Sequence, residues 1–204
     1  MFALPHAVLR APILLAAMLV ATMTLVGCGV NNIPTYEEQA KASWAEVQNQ
    51  YKRRADLIPN LVDTVKGYAG QESKVLKEVI EARAKATQMT LPADILNNPE
   101  AMKKFQDAQA GLQGALGRLL VVTENYPDLK SNQNFLQLQQ QLEGTENRIG
   151  IARRDYILSV QQYNTEIRTI PGRWWKSLMY PSAKEMATFQ ATEQEQQVPK
   201  VNFN

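Results

Sequence analysis

Apolar residues in the first half of the chain recur at alternating steps of four and three, at Ala40, Trp44, Val47, Tyr51, Ile58, Leu61, Val65 and Tyr68, with Arg54 standing where another apolar residue is due. A period of about 3.5 residues belongs to a helix buried along one seam. The register runs straight through Pro59. Proline inside a helix removes a hydrogen bond and crowds the carbonyl four residues back, so the unbroken stripe predicts a continuing helix with a kink near Ala55. The alternative is a break, with Asp56 capping a new helix that carries Pro59 in its first turn.

Three further helices follow from the same signal. Gly67 and Gly70 punctuate the chain, and residues 71–88 place Leu76, Val79, Ala82 and Ala86 inward. Residues 91–99 hold two prolines and Asn97-Asn98, which makes them a loop. A third helix is expected over residues 99–124, with Phe105, Ala108, Leu112, Leu116, Leu119 and Val122 on its stripe. After a turn at Asn125-Tyr126-Pro127-Asp128, a fourth over residues 132–170 would be about 58 Å long. Its inward positions are Phe135, Leu138, Leu142, Ile149, Ala152, Tyr156, Tyr163, Ile167 and Ile170. With no useful run at period two, the expected fold is all-α, an antiparallel up-down-up-down four-helix bundle with long first and last helices. It occupies residues 36–171, and residues 172–204 form a C-terminal tail, polar and frayed from about residue 188.

The N-terminus reads differently. Residues 11–26 carry no charge, follow a short segment with Arg10, and end in Leu25-Val26-Gly27-Cys28. That layout is a secretory signal over residues 1–27, and the closing string resembles a bacterial lipobox, in which the cysteine is acylated and becomes the first residue of the mature chain. The alternative is an uncleaved signal anchor, since residues 11–30 approach the length needed to cross a bilayer. Both export the rest of the chain. Two or three acyl chains on Cys28 would exceed what stable anchoring requires. Gly29 rather than Asp after the cysteine resembles the outer-membrane sorting pattern, facing the periplasm, in a cell with two membranes. Residues 28–35 form a linker, of which the seven after Cys28 reach at most about 25 Å, so the domain would sit close to the bilayer.

Composition removes whole classes of function. The single histidine, His6, leaves with the signal and the single cysteine, Cys28, is taken up by acylation, so the folded part holds neither a histidine nor a free thiol. Cys-His and Ser-His nucleophilic catalysis, thiol redox chemistry and ordinary zinc sites go with them. The chain shows no phosphate-binding glycine loop and no clustered Asp/Asn loop for calcium, so no cofactor and no metal is expected. A formal net charge of +2 gives no basic stripe for nucleic acid.

The strings YKRRADLIPNLVDTVKGYA at 51–69, LGRLLVVTENYPDLKSNQNFLQLQQQLEGTENRI at 116–149, IARRDY at 151–156 and QYNTEIRTIP at 162–171 resemble the LemA family of bacterial envelope proteins. The resemblance covers about residues 36–171 and implies a helical bundle held at a membrane by its N-terminus. The family has no established biochemical activity, so the resemblance supplies no mechanism. This chain departs from the family's common pattern at Gln71, Ile157 and Ile170, and in offering a lipobox where many relatives enter the membrane through an N-terminal helix.

Two clusters stand out as candidate sites. Arg53, Arg54, Asp56 and Asn60 form the most polar part of the first helix, read either as an interaction surface or, for Arg54, as a buried ion pair fixing helix register. Equal rise along the first and last helices points to Asp155 as the partner of Arg54. Arg173, Trp174, Trp175 and Lys176 set paired aromatics among cations at the end that an up-down-up-down bundle returns to the tether. They suit a bilayer interface, or the two rings plug the bottom of the core. Tyr156 and Tyr163 sit on the stripe as core residues rather than catalytic acids. The expected function is therefore a membrane-tethered interaction or scaffold protein of the envelope with a protein partner. The alternative is an envelope hydrolase using paired carboxylates in a cleft between helices.

Overall fold

A computed structural model of the chain describes residues 29–88 and 94–190, so the lipobox at Cys28 lies outside the described residues. The described residues are helical throughout their regular structure, with no strand among them. Six α-helices follow one another: α1 (Asn32–Tyr68), α2 (Ser73–Thr87), α3 (Pro99–Thr123), α4 (Pro127–Lys130), α5 (Gln133–Arg168) and α6 (Gly172–Met179). A single 3₁₀ turn, Ile95–Asn97, precedes α3.

Sequence punctuation sets these boundaries. Asn98 accepts a hydrogen bond from the Ala101 amide at 3.1 Å with Pro99 as the first helical residue, and Asn132 does the same for the Phe135 amide at the start of α5. Each cap satisfies one of the orphan donors that a helix N-terminus leaves. The first helix begins at Asn32, four residues before the expected start, and the turn at Asn125-Tyr126-Pro127-Asp128 closes into the four-residue α4, which buries Leu129.

Pro59 lies within one continuous α1, which overturns the alternative of a break capped by Asp56. The absent N–H of Pro59 frees the carbonyl of Ala55, four residues back. Arg83 of α2 answers it, donating from Nε to the Ala55 oxygen at 2.8 Å. A backbone defect in one helix is thereby satisfied from its neighbour.

Helices α1 and α5 run antiparallel along the whole length, roughly 55 Å, and bury against each other. The interior divides into two clusters. The proximal one, beside the N-terminal start of α1, joins Ile33, Trp44 and Tyr51 of α1 with Phe105 of α3 and Tyr156 and Tyr163 of α5. The distal one joins Leu61 and Val65 with Val79 of α2, Leu112 and Leu119 of α3 and Phe135 of α5. Helix α2 lines the distal cluster, descending from Leu76 to Ala86 at mid-height.

At the proximal level the fourth position of the bundle is filled by chain read from sequence as tail. After a turn at residues 181–182, residues 183–190 cross the bundle without regular secondary structure and bury Ala183, Met186 and Phe189. Asn164 exchanges two hydrogen bonds of 2.9 Å with the Met186 backbone, Tyr156 Oη donates to the Ala187 carbonyl at 2.7 Å, and the Ala187 amide donates to Leu96 at 2.6 Å. Phe189 packs on Trp44 and Tyr156 at ring separations of 6.0 and 5.5 Å. The expectation of fraying from residue 188 is thus corrected at Phe189. An aromatic at that level buries too much apolar surface to leave in water.

Candidate functional site

The polar cluster of α1 separates into two environments. Arg53, Asp56 and Asn60, at steps of three and four, share one exposed face, where Asp56 pairs with Lys52 at 2.6 Å and the Asn60 carbonyl accepts from the Thr64 hydroxyl. Arg54 points the other way and is 1% exposed.

Arg54 does not meet Asp155. Asp155 is on the surface beside Arg154, and the carboxylate facing Arg54 belongs to Glu146, with Nη1 at 3.0 Å from Oε1 and 3.3 Å from Oε2. The register explains the difference. Asn32 Nδ2 donates to Glu166 Oε1 at 3.2 Å, so these two residues are level; twenty-two residues on from Asn32 is Arg54, and twenty-two back from Glu166 is Gly144, two residues from Glu146. Starting α1 at Tyr36 and ending α5 at Ile170 shifts the count to the wrong acid.

The other arm of the guanidinium, Nη2, donates to the side-chain oxygen of Gln109 at 2.6 Å and to its backbone carbonyl at 3.2 Å, while Gln109 Nε2 reaches the Ala86 carbonyl at 3.3 Å. Its Nε has no partner, and Tyr51 stacks beneath it with the ring centroid 5.0 Å from Cζ. All four long helices contribute to this layer, which lies between the two apolar clusters. A cavity of about 250 Å³ opens beside it between α3 and α5, lined by Gln106, Gln113, Asn147 and Arg153 among others. Sequence reasoning did not find Glu146, Gln109 or Arg83. The orphaned carbonyl beneath Pro59 was the one signal that a donor had to arrive.

Charge pairs also account for other acids that a hydrolase would need. A groove of about 810 Å³ between α2 and α3 contains Glu78, Glu81 and Asp107, of which Glu78 takes Arg118 at 3.2 Å and Asp107 takes Lys103 at 2.9 Å. Among the described residues no group of three or more His, Cys, Asp or Glu could hold a metal ion. Burial pushes the Tyr156 phenol well above its ordinary value, and Tyr163 is raised by burial first and by Glu37 second, partly offset by Lys41. Both phenols stay protonated in the core.

At the proximal end, the cluster read from Arg173 to Lys176 lies on α6. Trp174 is 62% exposed and Arg173 is on the surface. Trp175 and Lys176 are half-buried, with the Trp175 ring packed against the proximal core and its indole N–H without a partner. The two tryptophans therefore divide between surface and core. Ile170, expected inward at the end of the last helix, is instead 65% exposed, because α5 ends at Arg168 and the chain turns.

A family model described as LemA family matches residues 43–203. Among curated relatives, Magnetosome protein MamQ 2 of Paramagnetospirillum magneticum is 24% identical over 200 residues, covering 90% of this chain and 71% of that protein. Magnetosome protein MamQ of Magnetospirillum gryphiswaldense is 25% identical over 169 residues, 75% of this chain and 62% of its own length. Protein LemA of Metamycoplasma hominis is 26% identical over 149 residues, 72% and 62% respectively.

Proposed function

Because the chain belongs to the LemA family, we propose that it serves the bacterial envelope as a membrane-tethered helical interaction or scaffold protein without catalytic activity. Acyl chains on Cys28 would hold it on the exported side, at the outer membrane facing the periplasm where a cell has two membranes. The observation that carries this reading is the geometry at the N-terminus. Helix α1 starts four residues after Cys28, and the Asn32 to Glu166 hydrogen bond fixes that start against the end of α5. The tether would then meet a bundle whose far end stands about 55 Å away, and the exposed face of Arg53, Asp56 and Asn60 would look outward partway along it. The hydrolase alternative gains no support, since Glu146 is held by Arg54 and Glu78 and Asp107 are held by cations.

Metabolic labelling with a fatty-acid analogue tests the tether. The wild-type chain takes the label and Cys28→Ala does not. A wild-type chain that stays unlabelled yet fractionates with membranes identifies an uncleaved anchor, and one that is unlabelled and released refutes the tether altogether. Photo-crosslinking in intact cells from Arg53 then captures the protein partner.

A further inference from the structure

The exposed side of α6 is apolar where the bundle meets its tether. Trp174 and Leu178, one turn apart, are 62% and 79% exposed, and Ile170 and Met179 flank them with most of their surface in water. Isolated apolar residues on a surface need no explanation, but a contiguous set containing Trp marks an interaction site. The cations at Arg173 and Lys176 border the set, and the helix carries no acidic residue.

The position of α6 is fixed by backbone contact. A Cβ at Gly172 would come within 2.1 Å of the Glu166 carbonyl oxygen, so the chain folds back tightly on the last turns of α5, as only glycine permits. Trp175, the next residue along α6, packs into the proximal core, and Glu185 in the strap of residues 183–190 that crosses the bundle pairs with Arg168 just before α6. The helix therefore presents Trp174 and Leu178 as a rigid face. The same Glu166 bonds Asn32, so residue 29 and the start of α6 lie against one side chain. The described chain therefore begins, at Gly29, beside the start of α6.

We infer that the exposed apolar set of Trp174, Leu178 and Met179 on α6, with Ile170 in the turn before it, docks onto the lipid surface to which Cys28 is tethered, with Trp174 at headgroup depth and Arg173 and Lys176 toward anionic headgroups. The inference rests on the tether proposed above. Aromatic rings settle at that depth because the ring is apolar and the indole N–H remains wet, and each nearby cation adds attraction to an anionic leaflet. Docking fixes the tilt of the bundle on the membrane, which a flexible tether alone does not.

The test uses the full acylated chain, purified from membranes and reconstituted into vesicles of phosphatidylethanolamine and phosphatidylglycerol carrying a phosphatidylcholine brominated near the headgroup. Flotation reports the tether, and quenching of tryptophan fluorescence reports the docking. The wild-type chain floats and is quenched; Trp174→Phe floats and loses most of the quenching, since Trp44 is buried away from lipid and Trp175 faces the core. Leu178→Ser with Ile170→Ser floats but shifts the Trp174 emission toward the red. A chain that floats with no quenching overturns the docking and leaves the tether standing, as does an unquenched chain that crosslinks to a second copy through Leu178→Cys. A chain that does not float overturns both.

Discussion

Removing either member of the Arg54 and Glu146 pair has unequal consequences, because the two side chains differ in exposure. Glu146→Leu leaves a guanidinium that is 1% exposed with Gln109 as its hydrogen-bonding partner. An uncompensated charge at such a site costs about 3 to 5 kcal/mol. Arg54→Met leaves a carboxylate that is 30% exposed at its side chain and able to recruit water, so the loss is limited to the hydrogen bonds and the unpaired Gln109 acceptors, about 1 to 3 kcal/mol. The double variant places two apolar side chains where the pair stood, and such replacements are often neutral or stabilising by about 1 to 4 kcal/mol. It should therefore be more stable than Glu146→Leu alone. Urea unfolding followed by far-ultraviolet circular dichroism measures all four proteins. With a slope near 2 kcal/mol per molar urea, Glu146→Leu should lower the midpoint by about 2 M and Arg54→Met by about 1 M. Equal losses in the two single variants, with an additive double, would refute the reasoning, since additivity means the two groups do not interact.

Four further outcomes follow from the same contacts. Arg83→Met should destabilise by about 1 to 2 kcal/mol by orphaning the Ala55 carbonyl, and the cost should shrink in a Pro59→Ala background, where the restored amide supplies the bond; an equal cost in both backgrounds under urea denaturation argues against the pairing. Phe189→Ala should cost about 3 to 5 kcal/mol by the same assay, whereas a frayed tail predicts none. Tyr156→Phe should leave the Ala187 carbonyl unpaired, cost about 1 kcal/mol, and raise amide exchange at Met186 and Ala187 above exchange in the distal half. The Arg168 guanidinium beside Glu185 holds that carboxyl below its ordinary value, so the pair supports the strap at neutral pH and loses its contribution as pH falls through the lowered value. Amide exchange of residues 183–190 should rise in acid, and Glu185→Gln should flatten that dependence.

Much of the fold was legible because it rests on periodicity. The stripes of α1, α3 and α5 needed nothing beyond the spacing of their apolar residues. Tyr156 and Tyr163 were read as core and lie there. What periodicity could not supply was relative register. Four residues at the start of one helix and four at the end of the other together exchanged Glu146 for Asp155. The strap escaped for another reason: Ala183, Met186 and Phe189 lie in an irregular segment held by side chains of residues far away, Asn164 and Tyr156, and no local pattern encodes that. Arg54 was recognised as a charge on an apolar seam, but the layer around it is assembled from three other helices, and Gln109 looks in sequence like an ordinary surface glutamine.

The polar layer at mid-height has a consequence for how the molecule comes apart. Helix α2 covers the interior on one side of that layer and the strap covers it on the other, so the two halves are closed by different pieces of chain. Local opening in proteins proceeds in contiguous units whose stabilities need not match. A single cut after Met179 would release residues 180–190 and open the proximal half, while the half beyond Arg54 keeps its own cover. The proximal end is then the end that loosens first, and a protease acting there would open it without unfolding the far end.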